Sequence, residues 1–96
     1  MKGLKDILYK VSLEAVKGPT DIAIGKIAFD SREIGPNDVF VAIRGSVSNG
    51  HDFIQTAVNK GAIAVVCDVF PEQIAPDVTY LQTKDTNAAL AFMAAN

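Results

Sequence analysis

The chain holds a single cysteine and a single histidine among its 96 residues. One cysteine cannot form an internal disulfide, and one histidine leaves little from which to build a histidine-rich metal site or a Cys-His or Ser-His pair. None of the patterns GxxxxGK[ST], CxxC, HExxH or GxSxG occurs, which removes the signatures of phosphate loops, redox and zinc motifs and serine hydrolases. A basic surplus is missing too. Nine Lys and Arg against eleven Asp and Glu give a formal charge of -2, so nucleic acid is not the expected partner. No apolar stretch approaches the roughly 20 residues of a membrane span, and the opening Met1-Lys2-Gly3-Leu4-Lys5-Asp6 leads into no secretory apolar segment. Repeats, low-complexity tracts and linkers are likewise lacking.

What is present fits one globular domain. Apolar residues are 49% and charged residues 21%, a balance that supports a core and argues against disorder. Ninety-six residues bury one core but not a core plus a separate catalytic unit. Cys67 follows the apolar residues 62–66, so it reads as a buried strand thiol in a reducing, cytoplasmic setting.

Local patterning predicts an α/β domain with a small, mostly parallel sheet flanked by helices. Leu4, Ile7, Leu8 and Val11 stand at helical spacing. Ile22 and Ile24, then Ile27 and Phe29, alternate with a slip of parity at Gly25-Lys26, the mark of a bulge or of two short strands. Residues 31–38 form a loop closed by Gly35-Pro36-Asn37. Val39-Phe40-Val41-Ala42-Ile43 reads as a strand buried on both faces. A helix through Phe53, Ile54, Ala57 and Val58 stops at Gly61, and residues 62–67 make a second buried strand. Together these make a βαβ unit whose strands run parallel. A strand over residues 78–81 and a last helix, capped by Asp85 or Thr86 and carrying Ala89, Leu90, Phe92 and Met93, complete the chain.

Two polar loops leave strand ends: Phe29-Asp30-Ser31-Arg32, and Arg44-Gly45-Ser46-Val47-Ser48-Asn49-Gly50. In open α/β sheets ligands sit beyond the carboxyl ends of strands. The second loop enters a helix start, where free N–H groups favour an anion such as a diphosphate, and Gly45 and Gly50 permit close backbone approach. The same residues admit plainer roles. Asp30 and Arg32 can form a structural ion pair or cap a turn, Ser31 can cap that turn, and His51 can serve as a helix-start residue with a local hydrogen bond.

The stretch from Ile27 to Gly45, with Asp30-Ser31-Arg32 and then Gly35-Pro36-Asn37-Asp38-Val39-Phe40-Val41-Ala42, resembles the N-terminal domain of Mur ligases. Gly50-His51-Asp52-Phe53-Ile54, Ala57 and Lys60-Gly61-Ala62 continue the likeness across nearly the whole chain. Within the family it is most similar to the class that adds diaminopimelate or lysine to UDP-N-acetylmuramoyl-dipeptide. The D-Ala-D-Ala-adding class and a stand-alone nucleotide-binding module are the alternatives.

The resemblance implies that residues 1–96 bind the UDP end of that substrate, and that central and C-terminal domains supply ATP, Mg2+ and amino-acid sites. It assigns substrate contacts to Phe29, Ser31, Ser46, Val47 and Ser48, with Asp30, Arg32, Gly45, Asn49, Gly50 and His51 as supporting residues. No catalytic and no metal-binding residue is expected in this chain. Ser46 stands where the family commonly carries His or a longer polar residue, and Asn49 where it carries Asp.

Overall fold

The computed structural model describes residues 2–96, so Met1 of the opening run lies outside it. In chain order the elements are β1 (Lys2–Gly3), α1 (Leu4–Ile7), β2 (Ala15–Lys17), β3 (Ala23–Ile24), β4 (Ile27–Ala28), β5 (Val39–Val41), α2 (Ile54–Asn59), β6 (Ala64–Cys67), β7 (Thr79–Gln82) and α3 (Thr86–Ala95). Single 3-10 turns cover Ser31–Glu33 and Gly50–Phe53.

Five strands form one sheet in the order β2-β7-β6-β5-β4, and β1 pairs with β3 in a separate two-stranded ribbon. The neighbours β4, β5, β6 and β7 are parallel, and only β2 joins antiparallel, along β7. The βαβ unit read from residues 39–67 is therefore present, with α2 as its crossover. The parity slip at Gly25-Lys26 is the junction between two short strands that belong to different sheets.

Both faces of the sheet are covered, which is why β5 and β6 are apolar at every position. Phe40, Val65 and Tyr80, aligned across β5, β6 and β7, point to the side where Ile54 and Ala57 of α2 pack. Val39, Val41, Ala64, Val66 and Leu81 face the other side, against Leu4 and Ile7 of α1 and Ala89 and Met93 of α3. Gly61 ends the crossover helix with φ +109, and a Cβ there would lie 2.8 Å from Pro36 Cα, so only glycine fits. Asp85, rather than Thr86, caps α3 by accepting the N–H of Ala88.

Three details depart from the sequence reading. The first helix ends at Ile7, because Leu8 already leaves helical geometry and Lys10 adopts φ 68, in the left-handed region. Phe29, expected within an alternating strand, follows the end of β4 and is 61% exposed. The strand read over residues 39–43 ends at Val41; in the last helix Thr86, Ala89 and Met93 face the core and Phe92 is 44% exposed. The edge strand β2 carries no periodic signal in the sequence.

Candidate functional site

The carboxyl ends of β4 and β5 lie side by side, so the loops that leave them meet. In the first loop Asp30 caps the 3-10 turn, its Oδ1 accepting the N–H of Arg32 at 2.9 Å. The same carboxylate receives the Arg32 guanidinium, from Nε at 3.0 and 3.2 Å and from Nη2 at 2.7 Å. Both plainer roles open to this pair are thus realised at once. The side-chain bond from Arg32, followed by its backbone N–H, holds the Asp30 carboxyl down at about 2. Such an exposed pair orients the loop more than it stabilises the fold. With capping done by Asp30, the hydroxyl of Ser31 makes no hydrogen bond among the described residues; the residue is 8% exposed, and its hydroxyl oxygen is open to solvent rather than buried.

The second loop folds back on itself. Gly45 N–H donates to the carbonyl of Ser48 at 2.8 Å, Gly50 N–H donates to that of Ile43 at 2.7 Å, and Arg44 bridges Asn49. Asn49 then caps the following turn: its Oδ1 accepts the N–H of His51 at 3.0 Å and its carbonyl accepts that of Asp52 at 3.0 Å. These bonds change the expected anion cradle. The N–H groups of residues 50–52 are consumed internally, and α2 begins only at Ile54. The N–H groups of Ser46, Val47 and Ser48, at the tip, have no partner among the described residues.

Between the loops lies an open cavity of about 500 Å³. Phe29, Asp30, Ser31 and Arg32 line one side, and Gly45, Ser48, Gly50 and Phe53 the other, over a floor of Phe40 and Ile43. Ser46, Val47, Asn49 and His51 are not in its lining, and Val47 at the tip is 98% exposed. Phe40, Ile43 and Phe53 were absent from the sequence-based site. Phe53 was findable there as an aromatic in the first turn after the loop, whereas Phe40 and Ile43 looked like core residues alone.

His51 takes the plainer of its two roles. Its Nδ1 lies 2.8 Å from Asn49 Oδ1, and its Nε2 accepts the N–H of Asp68 at 3.0 Å. A neutral ring protonated at Nδ1 satisfies both contacts. Burial is the main influence lowering its pKa, and the Arg44 charge adds to it against the pull of the Asp68 carboxylate. Cys67 is fully buried, and burial pushes its thiol up to about 12, which leaves it inert. Among the described residues no group of three or more His, Cys, Asp or Glu could hold a metal ion, and no helix is long and apolar enough to cross a membrane.

A family model described as "Mur ligase family, catalytic domain" matches residues 23–96. A UDP-N-acetylmuramoyl-L-alanyl-D-glutamate–2,6-diaminopimelate ligase of Cytophaga hutchinsonii is 46% identical over 94 residues, covering 97% of this chain and 19% of the relative. The ligase of the same name from Clostridium tetani is 39% identical over 95 residues, covering 97% of this chain and 20% of the relative. Among solved structures, MurF from Acinetobacter baumannii superposes with a TM-score of 0.79 at 20% identity, over 94% of this chain and 19% of that one. This chain therefore spans about one fifth of the length of the relatives it matches. The matched residues, the level of identity and the shared fold agree on one conclusion: the chain belongs to the Mur ligase family.

Proposed function

We propose that this chain is the substrate-recognition module of an ATP-dependent amide-bond-forming ligase, and that its cavity takes the UDP end of UDP-N-acetylmuramoyl-L-alanyl-D-glutamate. The observation that carries this reading is the Ser31 hydroxyl, which lines the cavity without a hydrogen-bond partner among the described residues. It stands beside two half-exposed aromatic walls, Phe29 and Phe53. An apolar cleft of this volume with a few convergent polar groups is the usual form of a small-molecule site, about 300–1,000 Å³. In this reading Phe29 and Phe53 flank the uracil, Ser31 meets its polar edge, and the tip N–H groups of Ser46, Val47 and Ser48 meet the diphosphate.

The incoming amino acid is 2,6-diaminopimelate, as in the names of the two relatives, or L-lysine. ATP and Mg2+ do not fit the residues present: there is no GxxxxGK[ST] run and, among the described residues, no acidic cluster. Their chemistry belongs to further domains, the module's partners in a cytoplasmic enzyme. The module's share of catalysis is positional. A grip on the remote UDP end spends binding energy on placing the reacting carboxylate where those domains act.

Amide-shift mapping by NMR with a UDP-sugar tests the assignment. Shifts at Phe29, Ser31 and residues 46–48, undisturbed by excess ATP, are expected. Still resonances there, with movement elsewhere, would overturn it.

A further inference from the structure

Asp68 lies one residue beyond β6 and outside the cavity lining, yet groups from three segments converge on it. Arg44, which opens the second loop, donates through Nε and Nη2 to its two carboxylate oxygens at 2.6 and 2.8 Å. The Asp68 N–H donates to His51 Nε2 at 3.0 Å, and the Asp68 carbonyl accepts from the Gln82 side chain on β7 at 3.1 Å. His51 in turn holds Asn49, the residue that closes the loop, through Nδ1. Both ends of the hairpin are therefore fastened to a single residue just past the neighbouring strand β6, while its tip is free.

We infer that Asp68, Arg44 and His51 are positioning residues, which hold the second loop so that its tip N–H groups converge on a diphosphate they do not themselves touch. The inference rests on the cavity being a UDP site. A loop tied down in advance pays its ordering cost on folding rather than on binding. The Arg44 fork meets both carboxylate oxygens, so it fixes direction as well as distance. Asp68, Asp52 and Arg44 are the charged groups that act on His51. Protonation of Nε2 would turn the acceptor of the Asp68 N–H into a donor and break that tie, leaving only the carboxylate Oδ1 at 3.3 Å as a new partner.

The test is titration of this chain with UDP-N-acetylglucosamine. Its diphosphate is esterified at both ends and has no terminal group titrating near pH 6. Arg44→Gln and Asp68→Asn should speed amide exchange at Gly45 and Gly50 and weaken binding roughly tenfold, with the Phe29 and Ser31 shifts retained. Arg44→Lys, a point charge without the fork, should fall between. In the unmodified chain, affinity should decline as pH falls and His51 Nε2 takes up a proton. Three results overturn the inference: a loosened loop that binds with full affinity, an unchanged loop in both variants, or affinity that stays flat while His51 protonates. An unmodified chain that fails to bind the UDP-sugar at all overturns the UDP reading itself, and this inference with it.

Discussion

Gly50 approaches Ile43 so closely that a Cβ at position 50 would lie 2.6 Å from the Ile43 nitrogen and 2.9 Å from its oxygen. Both are backbone atoms of the chain leaving β5, so neither yields cheaply. The glycine thus serves the chain's own closure as well as forming part of the cavity wall. Gly50→Ala should lower stability by about 1–3 kcal/mol, the usual cost of forcing extra volume into a packed site. Urea denaturation measures it, and a variant as stable as the parent would refute the steric account.

Ser31→Ala separates recognition from folding. Because Asp30 performs the capping and the serine hydroxyl is unpartnered among the described residues, the melting temperature should hold. Loss of one neutral hydrogen bond to ligand costs about 0.5–1.5 kcal/mol, at most roughly tenfold in affinity. Calorimetry of UDP-sugar binding beside a thermal melt decides the matter. A lower melting temperature with unchanged affinity would return Ser31 to a structural role.

Phe29 is an aromatic wall that the core does not need, since 61% of it is exposed. Phe29→Ala should therefore leave stability within about 0.5 kcal/mol, as for ordinary surface changes. Stacking of a base on an aromatic ring is worth about 1–3 kcal/mol, so affinity for the UDP-sugar should drop by one to two orders of magnitude. Equal binding by the variant would remove uracil from this side of the cavity.

Asp38 is buried and receives the N–H of Lys26 at 2.9 Å, the N–H of Gly35 at 2.8 Å and the Lys26 ammonium. Burial is the largest single influence and would raise its pKa. The bonds from Lys26 and Gly35 together outweigh it, so the carboxyl sits below its ordinary 3.8. A group depressed by folding contributes stability above its unfolded pKa, and that contribution is lost as pH falls through the folded value. Asp38→Asn should cost about 1–3 kcal/mol at pH 7, because its amide cannot accept all these donors. The gap from the parent should narrow as pH falls below 3.8. Urea midpoints at pH 7, 4 and 3 follow it, and a constant gap would contradict the charge-based account.

Much of the architecture was legible because β5 and β6 are buried on both faces and so carry unbroken apolar runs, as at Val39-Phe40-Val41. Gly61 announced the end of the crossover helix for a steric reason that the structure bears out. The edge strand β2 was illegible: three residues long, with Val16 42% exposed, it owes its conformation to pairing with distant Leu81 rather than to its own pattern. In the site, Ser31, Gly45 and Ser48 were reachable through a family motif. Asp68 was not, since its link to Arg44 spans 24 residues and depends on two strands lying side by side. Local spacing cannot encode such a pairing.

The sheet's two borders are short: β2 has three residues at one side and β4 two at the other. An open sheet margin is a template on which another chain can add rungs, and short or charged margins are a usual defence. Here Lys17 closes β2 and lays its ammonium over the Phe70 ring at 4.6 Å, while the Asp30-capped turn bends the chain away two residues after β4. A second copy arriving edge-on finds at most three rungs, too few to nucleate a stack. Brevity at the borders of the five-stranded sheet thus discourages edge-to-edge polymerisation through them.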